Sequence, residues 1–96
     1  MKGDMAEIVK TEGVLGGKAR LDGRRIAVLD IAERVLDHGR TPEHVVDQLD
    51  ITLAEVYAAL AYYYEHIDEM NAARERRRER DERLRRESKA PETIEQ

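Results

Sequence analysis

Apolar and polar positions along the chain change period twice. Glu7–Lys10 holds the pair Ile8-Val9 and predicts a short strand, followed by a Gly-punctuated loop, TEGVLGG. From Gly16 to Val28, GGKARLDGRRIAV alternates about Asp22-Gly23. That dipeptide suits a two-residue type I′ turn, in which both residues take positive φ. The turn would pair Leu21 with Arg24, Arg20 with Arg25, Ala19 with Ile26 and Lys18 with Ala27. Because side chains alternate faces along a strand, Ala19, Leu21, Arg24 and Ile26 share one face. Lys18, Arg20, Arg25 and Ala27 share the other, so one face can seal a core while its reverse carries three cations.

From Val28 the spacing becomes helical. Val28, Leu29, Ile31, Ala32, Val35 and Leu36 form an apolar stripe, with Asp30, Glu33, Arg34 and Asp37 largely outside it and Gly39 placed to end the helix. Thr41 and Pro42 mark the N-cap and first residue of a second helix, whose inner edge is Val45, Val46 and Leu49. Only Asp50, Ile51 and Thr52 separate it from a third helix. There, Thr52 with Glu55 predicts a capping box, and Ile51 with Val56 a hydrophobic staple. Two short amphipathic helices joined by so short a turn are compatible with a helix-turn-helix.

The third helix is apolar on more than one side. Leu53, Val56, Tyr57, Leu60, Ala61 and Tyr64 make one stripe; Ala59, Tyr62, Tyr63, His66 and Met70 make another. A helix of this kind is normally buried on more than one side, and a chain of 96 residues has little with which to cover the second stripe. A partner is therefore expected, most simply a second copy, with Tyr57, Ala59, Tyr62, Tyr63, His66 and Met70 as interface residues. The competing reading buries the helix entirely within its own domain. After it, RERRRERDERLRRE has almost no apolar stripe. The i,i+4 pairs Glu79–Arg83, Asp81–Arg85 and Glu82–Arg86 each support helix by about 0.3 kcal/mol. Pro91 and the PETIEQ end predict a disordered tail.

Charge sharpens this division. The formal net charge is -4, yet residues 1–73 carry 8 basic and 14 acidic side chains while residues 74–87 carry 8 basic and 5 acidic. There is no Cys, so disulfides and thiolate metal sites are excluded, and no apolar run approaches the ~20 residues that span a bilayer. A soluble, cytoplasmic protein is the expectation. No Walker loop, HExxH, GxSxG or EF-hand loop occurs, and His38, His44 and His66 lie on separate segments. Asp30, Glu33 and Asp37 lie at i, i+3, i+7. Such a row could hold Mg²⁺ for phosphodiester chemistry, but more often it is the wet side of an amphipathic helix. No catalytic residue, metal or cofactor is assigned, and the chain is not expected to be an enzyme.

For nucleic acid the signals conflict. A cationic ribbon fits a groove or a phosphate backbone. The third helix, TLAEVYAALAYYYEH, contains no Lys or Arg, and Ala54, Glu55 and Ala58 are poor readers of base edges. DNA contact would rest on Thr52, on Lys18, Arg20, Arg24 and Arg25 of the hairpin, and on Arg40 before helix two.

The order and spacing of Gly16, Gly17, Lys18, Gly23, Arg25, Ile26, Val28, Ile31, Gly39, Pro42, Glu43, Thr52, Leu53, Ala59 and Leu60 resemble domain-of-unknown-function family 433. The resemblance runs from about Ile8 to Tyr64; Ala19 stands where the family usually has Pro, and Arg24 where it usually has Thr. It implies a mainly α fold: short N-terminal strands, a homeodomain-like three-helix helix-turn-helix, and here a long charged C-terminal helix. Family members are commonly described as VapB-type antitoxins, typically encoded beside a PIN-like ribonuclease toxin. The resemblance therefore implies a dimeric type II antitoxin that binds operator DNA and neutralises such a toxin. Arg74, Arg77, Arg78, Arg80 and Leu84 would then form an arm toward the toxin's acidic pocket, against the plainer reading of a solvated helix. The alternative function is a protein-interaction module that binds a partner without specific DNA binding. The expected layout is a flexible N-terminus at 1–7, the helix-turn-helix domain with its strands at 8–66, the charged helix at 67–87 and the tail at 88–96.

Overall fold

The computed structural model describes residues 6–95, with side chains as far as Ser88. Most of the segment expected to be a flexible N-terminus, residues 1–5, lies outside the described residues, as does Gln96 at the end of the expected tail. The chain is mainly helical, with one small antiparallel ribbon. Strands β1 (Ile8–Val9) and β2 (Arg20–Leu21) pair Ile8 with Leu21 and Val9 with Arg20. They are followed by α1 (Val28–Ala32), which continues as a π-helical turn over Glu33–Asp37. Then come α2 (Pro42–Leu49), α3 (Leu53–Glu65) and α4 (Ile67–Glu95). Helix α4 runs through most of the segment read from sequence as a tail.

The ribbon differs from the expected hairpin. Arg24 N–H donates to the Leu21 carbonyl at 3.1 Å, Leu21 N–H donates to Ile26 at 3.0 Å, and Arg20 bridges Ala27 instead of Arg25. Of the two turn residues only Gly23 takes positive φ, at 81°, so the type I′ geometry is absent. The loop is wider because Arg20 ties it from within. Its guanidinium donates to the carbonyls of Leu21 (3.1 Å) and Arg24 (3.0 Å) and to Thr11 Oγ1 (2.9 Å). Ala19 and Leu21 still seal the core, but Ala27, expected on the cationic face, is also buried at 3%, and Ile26, expected on the core face, is only half-buried.

The helix signals act as their chemistry requires. Thr41 Oγ1 accepts from His44 N–H at 3.1 Å, with Pro42 as the first helical residue. Thr52 and Glu55 cap reciprocally at 3.0 and 2.9 Å, while Ile51 and Val56 are both buried. Gly39, at φ 69°, turns the chain out of α1's π extension. Leu21, Val28, Ile31, Val45 and Val56 are fully buried and make the centre of the core, where α1 lies across α3 and α2 closes one side.

Helix α3 does not run on into α4. His66 leaves helical geometry (φ -131°, ψ 51°), and its N–H is shared between the carbonyls of Tyr62 and Tyr63. The break lets α4 turn back across α1, bringing Met70 into the core cluster with Ala59 and Tyr63.

Candidate functional site

Three surfaces bear on function: an acid–arginine ladder, an apolar row and a cationic groove. In the ladder, the turn at His66 sets α4 beside α1, where Arg74 grips Asp37 through both terminal guanidinium nitrogens (2.6 and 3.2 Å). Arg74 also donates to the Tyr63 hydroxyl at 2.9 Å and lies over its ring. One turn on, Arg77 reaches Glu33 at 2.7 Å and Asp30 at 2.9 Å. The row weighed above as a Mg²⁺ site is thus paired with two guanidinium groups, and it fastens α4 to α1. Arg74 and Arg77 therefore do not project as the expected free arm; each is mostly shielded and charge-paired. Arg78 pairs along its own helix with Glu75, while Arg80 and Leu84 are exposed.

The Arg74 bond holds the Asp37 carboxyl below the usual carboxylate range, against a smaller opposing effect of burial. A carboxylate whose native pKa is depressed stabilises the fold above its unfolded value, near 4. That contribution is lost as pH falls through the lower native value. Urea unfolding at pH 6 and pH 3 will accordingly show a loss of stability with acid. Asp37→Asn will be less stable than the parent at pH 6 and will lose less between the two.

The apolar row lies on the opposite stripe of α3 from the one expected at an interface. Ala59, Tyr63 and Met70 are 0%, 8% and 3% exposed, covered by α1 and α4 of the same chain. Tyr62 is half-buried, donating its hydroxyl to Glu69 at 2.8 Å, and the exposed His66 ring stacks on it at 3.8 Å. Burial, and then the Glu69 bond, push the Tyr62 pKa up. Of the six proposed interface residues, only Tyr57 and His66 are exposed. What remains open is Leu53, Tyr57 and Tyr64, at 41%, 53% and 60%, with Leu60 half-buried between them. These four recur at steps of four, three and four residues, which is the seam spacing of a helix that pairs with another helix.

The residues set out for DNA are scattered in role. Arg20 ties the loop from inside, Arg24 bonds Glu55 at 2.8 Å, and Thr52 caps α3. Arg25 and Arg40 are exposed. Lys18 faces α4 instead, in a groove of about 440 Å³ between the Gly16-Gly17 loop and the helix. Arg76, Arg80 and Arg83 line the same groove, and neither they nor Lys18 has an ion-pair partner among the described residues. Burial, and then repulsion from Arg80 and Arg77, lower the Lys18 pKa. Arg76 and Arg83 were not singled out from sequence. Their spacing with Arg80, four and three residues, places all three on one helix face and was the available signal.

The model of the family described as "Protein of unknown function (DUF433)" matches residues 8–63. The chain belongs to that family. The matched segment spans the ribbon, α1, α2 and nearly all of α3, so the ladder's arginines and the helical side of the groove lie beyond it. No curated protein and no solved structure matches the chain. Among the described residues, no helix is long and apolar enough to cross a membrane.

Proposed function

We propose that the chain is an antitoxin-type interaction protein: a homodimer joined along α3, whose charged arm engages and silences a PIN-type ribonuclease. The observation carrying the dimer is the open row Leu53, Tyr57, Leu60 and Tyr64. Its spacing suits a second α3, and all four side chains are uncharged, so two copies set against one another bring no like charges together along the seam. Tyr with Leu in such a position supplies large contact area at small entropic cost. The arm free for an acidic nuclease pocket begins after Arg77 and carries Arg80 and Leu84.

The row also weighs against α3 as a reader of DNA bases. Its outward face has no cation, and three of the six residues proposed for DNA are already engaged within the chain. The protein-interaction reading is therefore preferred to operator recognition. Sedimentation will show a dimer, and Tyr57→Asp will weaken it by about tenfold or more, because the new charge must lose water at the seam. A folded monomer at high concentration removes the dimer. A co-expressed PIN-type nuclease from the adjacent gene is expected to co-purify with reduced activity; failure to co-purify removes the nuclease partner.

A further inference from the structure

The groove between the glycine loop and α4 has a construction that neither the dimer nor the ladder explains. Lys18 stands on one wall and Arg76, Arg80 and Arg83 on the other, none of them in an ion pair among the described residues; two carboxylates also line the groove, Glu79 and the Glu69 that Lys10 holds. Lys10 pairs with Glu69 at 3.0 Å, Arg24 with Glu55, and Arg74 and Arg77 with Asp37, Glu33 and Asp30, whereas these four cations surround a concavity unpaired. Cations outnumber carboxylates around this concavity, and the surplus opposes folding unless an anion enters it.

The floor is built for close approach. Leu15, Gly16 and Gly17 all take positive φ, at 51°, 66° and 80°. For Leu15 this is a strained conformation, held by Gly17 N–H to Val14 and Lys18 N–H to Leu15. Both glycines line the groove, and nothing lies within 4 Å of where a Cβ would stand on either. Ala27, Leu29, Met70 and Ala73 add an apolar part to the lining.

We propose that this groove binds a chain of phosphates, carried by a nucleoside polyphosphate or by a single-stranded nucleic acid, with Lys18, Arg76, Arg80 and Arg83 as the phosphate-binding residues. Several cations on two facing walls suit an anion with charges in series better than a lone carboxylate. The groove's volume accommodates a ligand of nucleotide size. The site is independent of the α3 row, so its fate does not decide the dimer; it shares Arg80 with the arm proposed for the nuclease, whereas Lys18, Arg76 and Arg83 belong to the groove alone.

The test is calorimetric titration of the full chain at low salt with inorganic tripolyphosphate, ATP and a short single-stranded oligonucleotide. Saturable binding of at least one is expected, weakening steeply with added salt. Lys18→Gln and Arg80→Gln will each reduce affinity about tenfold or more. The double variant Arg85→Gln/Arg86→Gln removes charge from the same helix outside the groove, and it should bind as the parent does. ATP or tripolyphosphate binding without the oligonucleotide assigns the site to a free polyphosphate; the reverse assigns it to a strand. Circular dichroism of each variant separates loss of the site from loss of fold. Absence of saturable binding to all three probes, or equal weakening by the Arg85/Arg86 control, overturns the proposal.

Discussion

Met70→Ala is expected to destabilise the protein by about 2–5 kcal/mol, and to do so by loosening α4. Met70 is 3% exposed and belongs to the core cluster that includes Leu29, Ala59 and Tyr63. It is the deepest of the α4 side chains, so truncation leaves a cavity at the joint between α4 and the remainder of the chain. A small domain has only about 5–15 kcal/mol in total, so the loss is a large share of it. Thermal unfolding followed by circular dichroism will show a fall in Tm of roughly ten degrees or more. Limited proteolysis should cut first within α4. Met70→Leu, which keeps the volume, should cost less than about 1.5 kcal/mol. A Met70→Ala protein that melts like the parent would mean that α4 does not rest on this contact.

Replacing Arg74 and Arg77 together by Met is expected to cost about 2–4 kcal/mol, more than the two single substitutions on exposed ion pairs would suggest. The double change removes the two-nitrogen grip on Asp37, the bond to Tyr63 and both contacts to Glu33 and Asp30. It also leaves three acids on one face of the α1 segment with no cation opposite. These arginine side chains are only 28% and 24% exposed, so solvent screens the bonds incompletely. Urea denaturation will read the loss, and high salt will narrow the gap between variant and parent. By contrast, Glu75→Gln breaks only a pair within α4, between two exposed side chains, and should shift stability by less than about 0.5 kcal/mol. If the double variant matched Glu75→Gln, the ladder would add nothing to stability, and α4 would be held by Met70 and the bonds of Glu69 to Lys10 and Tyr62.

Both predictions concern a joint that was only half visible beforehand. The i,i+3 spacing of Arg74 and Arg77, facing acids at 30, 33 and 37, is complementary on paper. Reading it as a contact required knowing that the chain reverses at His66, and no Pro or Gly marks that break. The same reversal changed which stripe of α3 is free. Two apolar stripes were evident, and the expectation that the second needs covering was sound. The cover proved to be the chain's own α4 and α1, which left Leu53, Tyr57 and Tyr64 outside.

What the amino-acid order determined by itself is much of what rests on neighbours a few residues apart, the Asp22-Gly23 turn and the break at His66 excepted. This covers the caps at Thr41 and Thr52, the staple of Ile51 and Val56, the stop at Gly39 and the helical stripes, because each is a local hydrogen bond or a period. Tertiary structure alone decided the rest: the ribbon's register, the pairing of α1 acids with α4 arginines, and the meeting of Lys18 with Arg76, Arg80 and Arg83. Those contacts join groups 37 to 65 residues apart or depend on a loop that Arg20 holds from inside. Charge and apolarity state what such groups can bond to, but only the path of the backbone selects which partner each one meets.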